Sequence, residues 1–338
     1  MNILVFTTAF YPSVGGLEKQ TYILIQEFLK MGHNVKVITQ QPAPGNRENF
    51  ETREKQLDVY YEPGFRIALL LFFWCNILYM PNFSLKSAWF IPFRLFKKWI
   101  VSHNDLYLCN TKSIKCKTKL MLIKLVSHNI SVSNYIAKNI DTSSKVIYNC
   151  FDNETFKIYE DEERKHEFVF LGRLVSQKGC ELLIKACKNL KSPFTLNIIG
   201  DGPERGKLER MVKDLGLEKN INFLGILEGE TLARVLNRHH VMVIPPIGEE
   251  GFGMVALEGM ACGCKIIASN AGGLSEAVKG FGKMFEMGNQ QELELLLEKE
   301  LEALRHPIPT LQDLELKKYL EGQNKETVAG EYLKLFAL

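Results

Sequence analysis

The stretch EEGFGMVALEGMACG, Glu249–Gly263, decides the fold, because it carries a glycine-rich turn directly into an apolar helix. The residues before it, Val241–Ile244, form a short apolar run that is typical of a buried parallel strand. We predict a helix over Phe252–Cys262, with Gly251 and Gly253 at its start. A strand that passes through such a turn into a helix is the repeating unit of α/β folds built on a parallel sheet.

The start of this helix is predicted to bind an anion, because the first backbone amides of a helix have no acceptor within it. The amides concerned are those of Phe252, Gly253, Met254 and Val255. Glu250 precedes them, and Glu258 lies about two turns into the helix. A carboxylate on an apolar helix is costly unless it is paired. Hydroxyl groups of a ligand would satisfy Glu258, and so would a lysine in a structural ion pair.

Strands and helices alternate along most of the chain. The apolar runs Asn2–Thr8 and Asn34–Thr39 flank an amphipathic helix over Leu17–Met31, which makes a β/α/β unit. A second series of the same kind begins at Phe168–Leu171. Such alternation predicts parallel sheets that are covered by helices on both faces.

The polar, acidic segment 152–167 separates the two series and fits a linker. We therefore predict an α/β protein of two Rossmann-like domains, residues 1–150 and 151–323, whose parallel sheets face a central cleft. Ligands of open α/β sheets bind beyond the carboxyl ends of the strands, so the residues at those ends are the candidates for a site.

Cations and glycines follow three of the predicted strands. Arg173 and Lys178 stand in GRLVSQKG after the first strand of the second series, and two cations there suit a polyanion such as a diphosphate. Gly202 lies in GDGPERG, where small residues allow the backbone to approach a base or a ribose. Gly16 ends YPSVGG, where its amide would reach a phosphate. Each signal is weak alone, because isolated surface cations are usually solvated and many turns contain paired glycines.

The first half of the sequence is basic, with twelve Lys and Arg against two acidic residues in 63–150. Within it, 63–101 joins the apolar run Ile67–Met80 to aromatic and basic residues, a combination that suits an anionic membrane surface. The apolar run spans fourteen residues, whereas a membrane-spanning helix needs about twenty. Core helices with snorkelling lysines would explain the same pattern.

The eight cysteines show neither metal-binding nor disulfide spacing. The N-terminus has the pattern of a strand and not of a signal peptide, so we expect reduced thiols and a cytoplasmic protein, at most peripheral on the inner face of the membrane. No recognition motif accompanies the basic region, so we expect no nucleic-acid partner.

Taken together, these motifs resemble the group 1 retaining glycosyltransferases, the GT4 family. The resemblance consists of Glu250-x7-Glu258 inside EEGFGMVALEGMACG, of GRLVSQKG and IGDGP upstream, and of AGGLSE (Ala271–Glu276) downstream. VIYNCFDNETF (Val146–Phe156) is similar to the interdomain segment of the family, and FYPSVGGLEKQ is similar to its N-terminal glycine loop. Each motif is weak by itself, but six of them in the family's order are specific.

The resemblance implies a GT-B fold whose second domain binds a UDP- or GDP-linked sugar as co-substrate. No metal or other cofactor is expected, because an Asp-x-Asp triplet is absent. Arg173 and Lys178 would neutralise the leaving diphosphate, and Glu250 would contact hydroxyls of the donor sugar. The resemblance also assigns donor binding to Gly16, Gly202, Phe252, Gly253, Met254, Val255 and Glu258, the last at the ribose. A helix within 324–338 would pack back on the first domain.

The predicted function is transfer of a hexose from the sugar nucleotide to a glycan or lipid-linked glycan acceptor in the synthesis of cell-envelope polysaccharide. The family commonly has an acceptor-side His at the end of a strand in its first domain. Neither His103 nor His128 is placed well for that role, so no catalytic His is named. The short first domain leaves one alternative, a catalytically silent protein or partner subunit that binds a sugar nucleotide. A nicotinamide dehydrogenase is disfavoured, because no complete G-x-G-x-x-G fingerprint is present.

Overall fold

The computed structural model describes residues 1–10, 15–42, 50–51, 56–87, 90, 97–106, 114–140, 142–305 and 314–338. The chain divides into two compact units. Unit 1 comprises Met1–Cys150 together with Gln323–Leu338, and unit 2 comprises Phe151–Gly322. Among the described residues, no helix combines the length and the apolarity that are needed to cross a membrane.

Unit 1 is built on one sheet. Its strands are β1 (Asn2–Thr7), β2 (Asn34–Thr39), β3 (Phe50–Glu51), β4 (Gln56–Tyr61), β5 (Ile77–Pro81), β6 (Lys98–His103), β7 (His128–Ser131) and β8 (Lys145–Val146). Within the described residues, these eight strands follow the order β3-β4-β2-β1-β5-β6-β7-β8. Neighbouring strands pair in parallel, apart from the antiparallel pair β3 and β4.

Alternate residues of the central strands supply two separate cores, one on each face of the sheet. On one face, α1 (Gly16–Lys30) and α12 (Lys325–Ala337) pack over residues such as Ile3 and Val5. On the other face, α2 (Phe65–Trp74) and the end of α3 (Ile114–Ile123) pack over the intervening residues of β1, β5 and β6. The short helix α4 (Asn134–Asn139) follows β7.

The helix α12 belongs to unit 1 through aromatic packing. The ring of Phe336 lies 5.5 Å from the ring of Phe28 on α1, and the ring of Tyr332 lies 5.7 Å from the ring of Tyr79 on β5. All four side chains are buried. Buried aromatic side chains of this size dominate the energetics of a core, so α12 is an integral part of unit 1.

Unit 2 is built on a second sheet. Its strands are β9 (His166–Leu171), β10 (Leu196–Ile199), β11 (Ile221–Gly225), β12 (His239–Ile244), β13 (Lys265–Ser269) and β14 (Gly282–Phe285). Within the described residues, these six strands follow the order β11-β10-β9-β12-β13-β14, and all of them pair in parallel. The helices of the unit are α5 (Cys180–Cys187), α6 (Arg205–Asp214), α7 (Gly229–Asn237), α8 (Met254–Ala261), α9 (Leu274–Val278), α10 (Gln290–Arg305) and α11 (Leu314–Gly322). The predicted α/β fold with two parallel sheets is confirmed.

The segment 63–101 differs from the sequence-based expectation. Its apolar run is divided, because α2 ends at Trp74 and β5 then enters the sheet, where all five of its residues are buried. Lys98–His103 forms the next strand, β6. The sequence shows one continuous run because β5 is buried on both faces and α2 is apolar on both of its faces. The first domain therefore contributes eight strands to its sheet within the described residues.

The strand β6 ends in His103, which the sequence analysis had set aside. The imidazole is buried, and its Nε2 lies 2.8 Å from Oδ1 of Asn129 on β7. Nδ2 of Asn129 donates to the carbonyl of Ile123 at 3.1 Å, which turns its Oδ1 toward the ring. Nε2 of His103 therefore carries the hydrogen that Asn129 accepts. Burial lowers the pKa of His103 to about 4, and the positive charge of Lys119 acts in the same direction.

The loops at the carboxyl ends of β9, β10 and β12 approach one another through glycines. Gly179 has a φ of +71°, and a Cβ there would lie 1.8 Å from the carbonyl oxygen of Pro245 after β12. Gly200 has a φ of +131°, and its Cβ would lie 2.0 Å from the carbonyl oxygen of Gly172 after β9. No other residue type fits these two contacts, because a Cβ essentially never comes so close to a backbone oxygen.

Replacing Gly179 with Ala tests this packing. We expect Gly179→Ala to lower the free energy of unfolding by at least about 2 kcal/mol, because the left-handed backbone and the contact with Pro245 both penalise a Cβ. Urea unfolding followed by circular dichroism measures the change. The control is Gly206→Ala on α6, where a Cβ would meet nothing within 4 Å and the helix gains about 0.5–1 kcal/mol. Equal stability of the two variants would contradict the role given to Gly179.

His103 makes the stability of unit 1 dependent on pH. Its pKa is about 4 in the folded state and about 6.5 in the unfolded state, so the unfolded chain binds the proton first as the pH falls. The free energy of unfolding is therefore expected to fall by about 2 kcal/mol between pH 7 and pH 5. All three tryptophans (74, 89 and 99) lie in unit 1, so their fluorescence follows this unit.

The variant His103→Gln should lose most of that pH dependence in the tryptophan signal, because unit 1 then lacks the buried imidazole that takes up the proton on unfolding. His128→Gln is the control, since His128 is only partly buried. An unchanged pH dependence in His103→Gln would show that other groups cause the loss of stability.

Candidate functional site

The candidate site of unit 2 lies where the order of its strands reverses. From β9 the chain builds outward through β10 to β11, and it then returns to β12 on the other side of β9 and continues to β13 and β14. The loops after β9 and β12 consequently leave the sheet in opposite directions and open a crevice between them. In α/β folds this switch point is where ligands bind.

An ion pair bridges the two loops at this point. Nζ of Lys178, from the turn after β9, contacts Oε1 of Glu250, from the loop after β12. The Glu250 side chain is 18% exposed and that of Lys178 is 36% exposed, so both remain accessible from solvent. The backbone of Glu250 is fixed as well, because its carbonyl accepts a hydrogen bond of 2.8 Å from the amide of Gly273.

Arg173 occupies the first part of the same turn after β9. Its side chain is exposed, and it forms no salt bridge with any residue that the structure describes. Its carbonyl accepts from the amide of Val175 at 2.9 Å, and the carbonyl of Val175 accepts from the amide of Lys178 at 3.0 Å. These bonds fold the turn so that two cations lie within one short loop at the switch point, an arrangement that suits a polyanion.

The predicted anion cradle lies at the start of α8, one or two residues later than the sequence suggested. The helix begins at Met254, so Phe252 precedes it and is buried. Gly253 is the N-terminal cap with a φ of +96°, and a Cβ there would lie 2.4 Å from Cδ1 of Leu274. The amides of Met254 and Val255 belong to the first turn, which has no acceptor of its own, and the side chains of both residues are only partly buried.

The other residues that were predicted to bind the sugar nucleotide are divided between the units. Glu258 lies inside α8 and is 3% exposed, so it sits below the surface on which Glu250 lies. Gly202 is close to the turn after β9, because a Cβ there would lie 2.4 Å from the carbonyl oxygen of Leu174. Gly16 is the first residue of α1 and belongs to unit 1. The structure thus brings the predicted residues of unit 2 to one end of its sheet, and Gly16 is the exception.

His103 was considered from the sequence as an acceptor-side residue but was given no role in the site. It is the last residue of β6, so it lies at the carboxyl end of a central strand of unit 1. The signal was present, since WIVSH is a short apolar run that ends in a polar residue. The lysines before it and the aromatic residues around it instead favoured an interfacial segment.

Comparison with known proteins identifies the family. Residues 151–306 match the family described as Glycosyl transferases group 1. An uncharacterised glycosyltransferase of Methanocaldococcus jannaschii is 32% identical over 235 residues, which cover 69% of this chain and 57% of the relative. A human protein, named as one subunit of phosphatidylinositol N-acetylglucosaminyltransferase, is 28% identical over 312 residues, which cover 82% of this chain and 63% of the relative. The chain therefore spans less than two thirds of the length of these two relatives.

Solved structures share the fold along the whole chain. HepE of Anabaena, solved in complex with UDP, has a TM-score of 0.79 at 18% identity, with all of both chains covered. Sucrose-phosphate synthase of Thermosynechococcus elongatus has a TM-score of 0.79 at 20% identity, covering 99% of this chain and 98% of that one. At these identities the likeness shows the GT-B fold. The match over residues 151–306 assigns unit 2 to the group 1 glycosyltransferases.

Proposed function

We propose that this protein transfers a hexose from a UDP- or GDP-linked sugar to a glycan or lipid-linked glycan acceptor, with retention of the anomeric configuration. The observation that carries the proposal is the ion pair of Lys178 with Glu250 at the switch point of unit 2, with Arg173 in the same turn. The sugar nucleotide is proposed as co-substrate, without a metal or another cofactor. Cell-envelope polysaccharide synthesis is the proposed setting.

Charge separation in the transition state explains why cations are needed here. When the bond between the sugar and the diphosphate breaks, negative charge grows on the leaving oxygen, and Lys178 and Arg173 stabilise it. The amides of Met254 and Val255 add fixed dipoles that favour the same charge. These groups are held by backbone hydrogen bonds before the substrate arrives, so little reorganisation is required at the moment of reaction.

The carboxylates of the site orient the donor. Glu250 accepts from hydroxyls of the transferred sugar, and its contact with Lys178 keeps the two groups in one place until the donor binds. Glu258, buried in α8, accepts from the ribose hydroxyls. In unit 1, His103 is proposed as the acceptor-side residue, because it ends a central strand as the family resemblance requires.

Two relatives support the choice of ligands. A neighbour with the same fold, HepE, was solved with UDP and glucose, which supports a uridine diphosphate sugar as donor. The human relative is named for a phosphatidylinositol N-acetylglucosaminyltransferase, which supports a lipid-borne acceptor. A silent sugar-nucleotide-binding protein was the alternative, and its main support was the short first domain. The presence of Arg173, Lys178 and Glu250 in unit 2 argues against this alternative.

We further propose contact with the inner face of the membrane, through a smaller part of 63–101 than the sequence suggested. The outer face of α2 carries large apolar side chains that are exposed: Phe65 (62%), Ile67 (46%), Leu70 (71%) and Phe73 (52%). No acidic residue occurs in α2 or α3, and three cations on these helices or directly after them are exposed: Arg66, Lys117 and Lys124. An apolar helix face flanked by cations suits an anionic bilayer surface.

The donor site is tested first by thermal shift with UDP, GDP, ADP and their common sugar conjugates without metal, and then by hydrolysis of each donor that binds. We expect Arg173→Met and Lys178→Met to lower hydrolysis at least tenfold, with a smaller loss of donor affinity, because they act mainly on the leaving diphosphate. Glu258→Ala should weaken donor binding itself. The control is Lys213→Met, an exposed lysine on α6. Wild-type affinity and hydrolysis in all three site variants would refute the assignment.

Membrane contact is tested by sedimentation with vesicles of phosphatidylcholine alone or mixed with phosphatidylglycerol. We expect stronger pelleting with the anionic vesicles at low salt, and at least a fivefold loss for the double variant Leu70→Glu, Phe73→Glu. Leu295→Glu on α10 is the control, because Leu295 is 55% exposed in unit 2. Equal pelleting with both kinds of vesicle, or no effect of the double variant, would exclude binding of the α2 face to an anionic bilayer. A protein partner would then be the remaining explanation for its exposed apolar side chains.

A further inference from the structure

Unit 1 contains a cavity at the carboxyl ends of β1, β2 and β4. Its volume is about 200 Å³, and its floor includes Phe6 of β1 and Ala68 of α2. Three longer polar side chains line it: Gln40, Glu62 and Lys86. The cavity thus lies at the ligand-binding end of a parallel sheet and directly beside α2.

Three polar side chains of the cavity have no partner for their terminal groups among the described residues. Glu62 and Lys86 form no salt bridge with any described residue, and Oε1 of Gln40 is buried without a hydrogen-bond partner in the described part of the protein. A buried acceptor that is left unpaired costs about 1–3 kcal/mol. A ligand that supplies hydroxyl groups and one negative charge would satisfy all three side chains.

The backbone at Glu62 is held in an unfavourable conformation. Its φ is +40°, which is uncommon for a residue other than glycine. The amide of Glu62 donates to the carbonyl of Thr39 at 2.8 Å, so the strained residue is fixed to the end of β2. Strain of this kind persists where the surrounding structure enforces it, and it is frequent at ligand sites.

The helix α2 connects this cavity with the apolar surface described above. Ala68, on its inner side, lines the cavity, while Phe65, Leu70 and Phe73 are exposed on its outer side. One short helix therefore separates a polar cavity from a face that suits lipid. A molecule with a polar head and an apolar tail would match both sides of α2, whereas a soluble sugar would match only the cavity.

We propose that this cavity binds the phosphorylated polyol head group of a membrane lipid, which serves as the acceptor or as its anchoring part. Lys86 pairs with the phosphate, Glu62 accepts from a hydroxyl of the polyol, and Oε1 of Gln40 accepts from a second hydroxyl. The proposal rests on the proposed transfer to a lipid-linked acceptor and names the chemical class of that acceptor. A cavity of about 200 Å³ is below the roughly 300–1,000 Å³ of pockets for larger ligands, so it takes one head group and not an extended glycan.

The test is calorimetric titration of the whole protein with short-chain lipids below the concentration at which they form micelles. The probes are dihexanoyl phosphatidylglycerol, which carries a phosphate and hydroxyls, dihexanoyl phosphatidylcholine, which lacks the hydroxyls, and free glycerol phosphate. We expect phosphatidylglycerol to bind at least tenfold more tightly than the other two. Lys86→Met and Glu62→Gln should each weaken its binding at least fivefold. The matched control is Lys138→Met, an exposed lysine on α4 and outside the cavity lining.

Three outcomes would overturn the proposal. Wild-type lipid affinity in Lys86→Met and Glu62→Gln would exclude the cavity as the binding site. Equal affinity for phosphatidylcholine would exclude recognition of the polyol, and equal affinity for glycerol phosphate would make the cavity a site for a free phosphate. UDP titrations of the same variants separate this test from the donor site, because Lys86→Met should bind UDP as the wild type does. Failure of the wild type to bind any nucleotide would refute the proposed function and leave the lipid result to be judged alone.

Discussion

The close approach of backbone to backbone at the carboxyl end of the second sheet is the constraint on which the rest of unit 2 depends. Two glycines, Gly179 and Gly200, allow carbonyl groups of neighbouring loops to occupy the space where a Cβ would lie. The loops after β9, β10 and β12 are thereby fixed against one another without the help of long side chains. Arg173, Lys178 and Glu250 extend from these fixed loops, so their charges are already concentrated at the switch point. A site that stabilises a leaving diphosphate benefits from such preorganisation, since charges that must first be gathered stabilise it less.

The two helical layers of unit 1 cover the two faces of one sheet, but they differ in the apolar surface that they expose to solvent. The layer of α1 and α12 is buried through aromatic contacts, whereas α2 is apolar on its outer side as well as on its inner side. A helix of this composition is stable in the fold only because its inner face, with Leu71 and Phe72, packs on β1 and β5. Its outer face exposes Phe65, Ile67, Leu70 and Phe73, and apolar surface of this extent is frequent at interaction sites.

The sequence predicted unit 2 well and unit 1 less well, for a physical reason. In unit 2 each strand is short, and most helices are amphipathic, with glycines between the elements. The alternating pattern of a strand and the period of about 3.6 residues of a helix can therefore be told apart in the sequence. In unit 1, Ile67–Met80 is apolar through both a helix and a strand, and periodicity vanishes where both faces of an element are apolar. His103 was given no role because its strand was not recognised. Lys178 and Glu250 lie far apart in sequence, and no local sequence pattern predicts that their side chains are in contact. The buried state of Glu258 followed from the apolar residues around it.

The return of α12 to unit 1 has a consequence for the order of events during synthesis. The core of unit 1 is completed by Tyr332 and Phe336, which the ribosome adds only after the whole of unit 2. At ordinary elongation rates, about ten to forty seconds pass between residue 150 and the arrival of this helix. During that interval the face of β1, β2 and β5 that α12 will cover is open to water. Unit 2 receives its last strand, β14, at Phe285, before α12 is synthesised. The nascent chain therefore reverses the usual vectorial order, since its second unit can mature before its first.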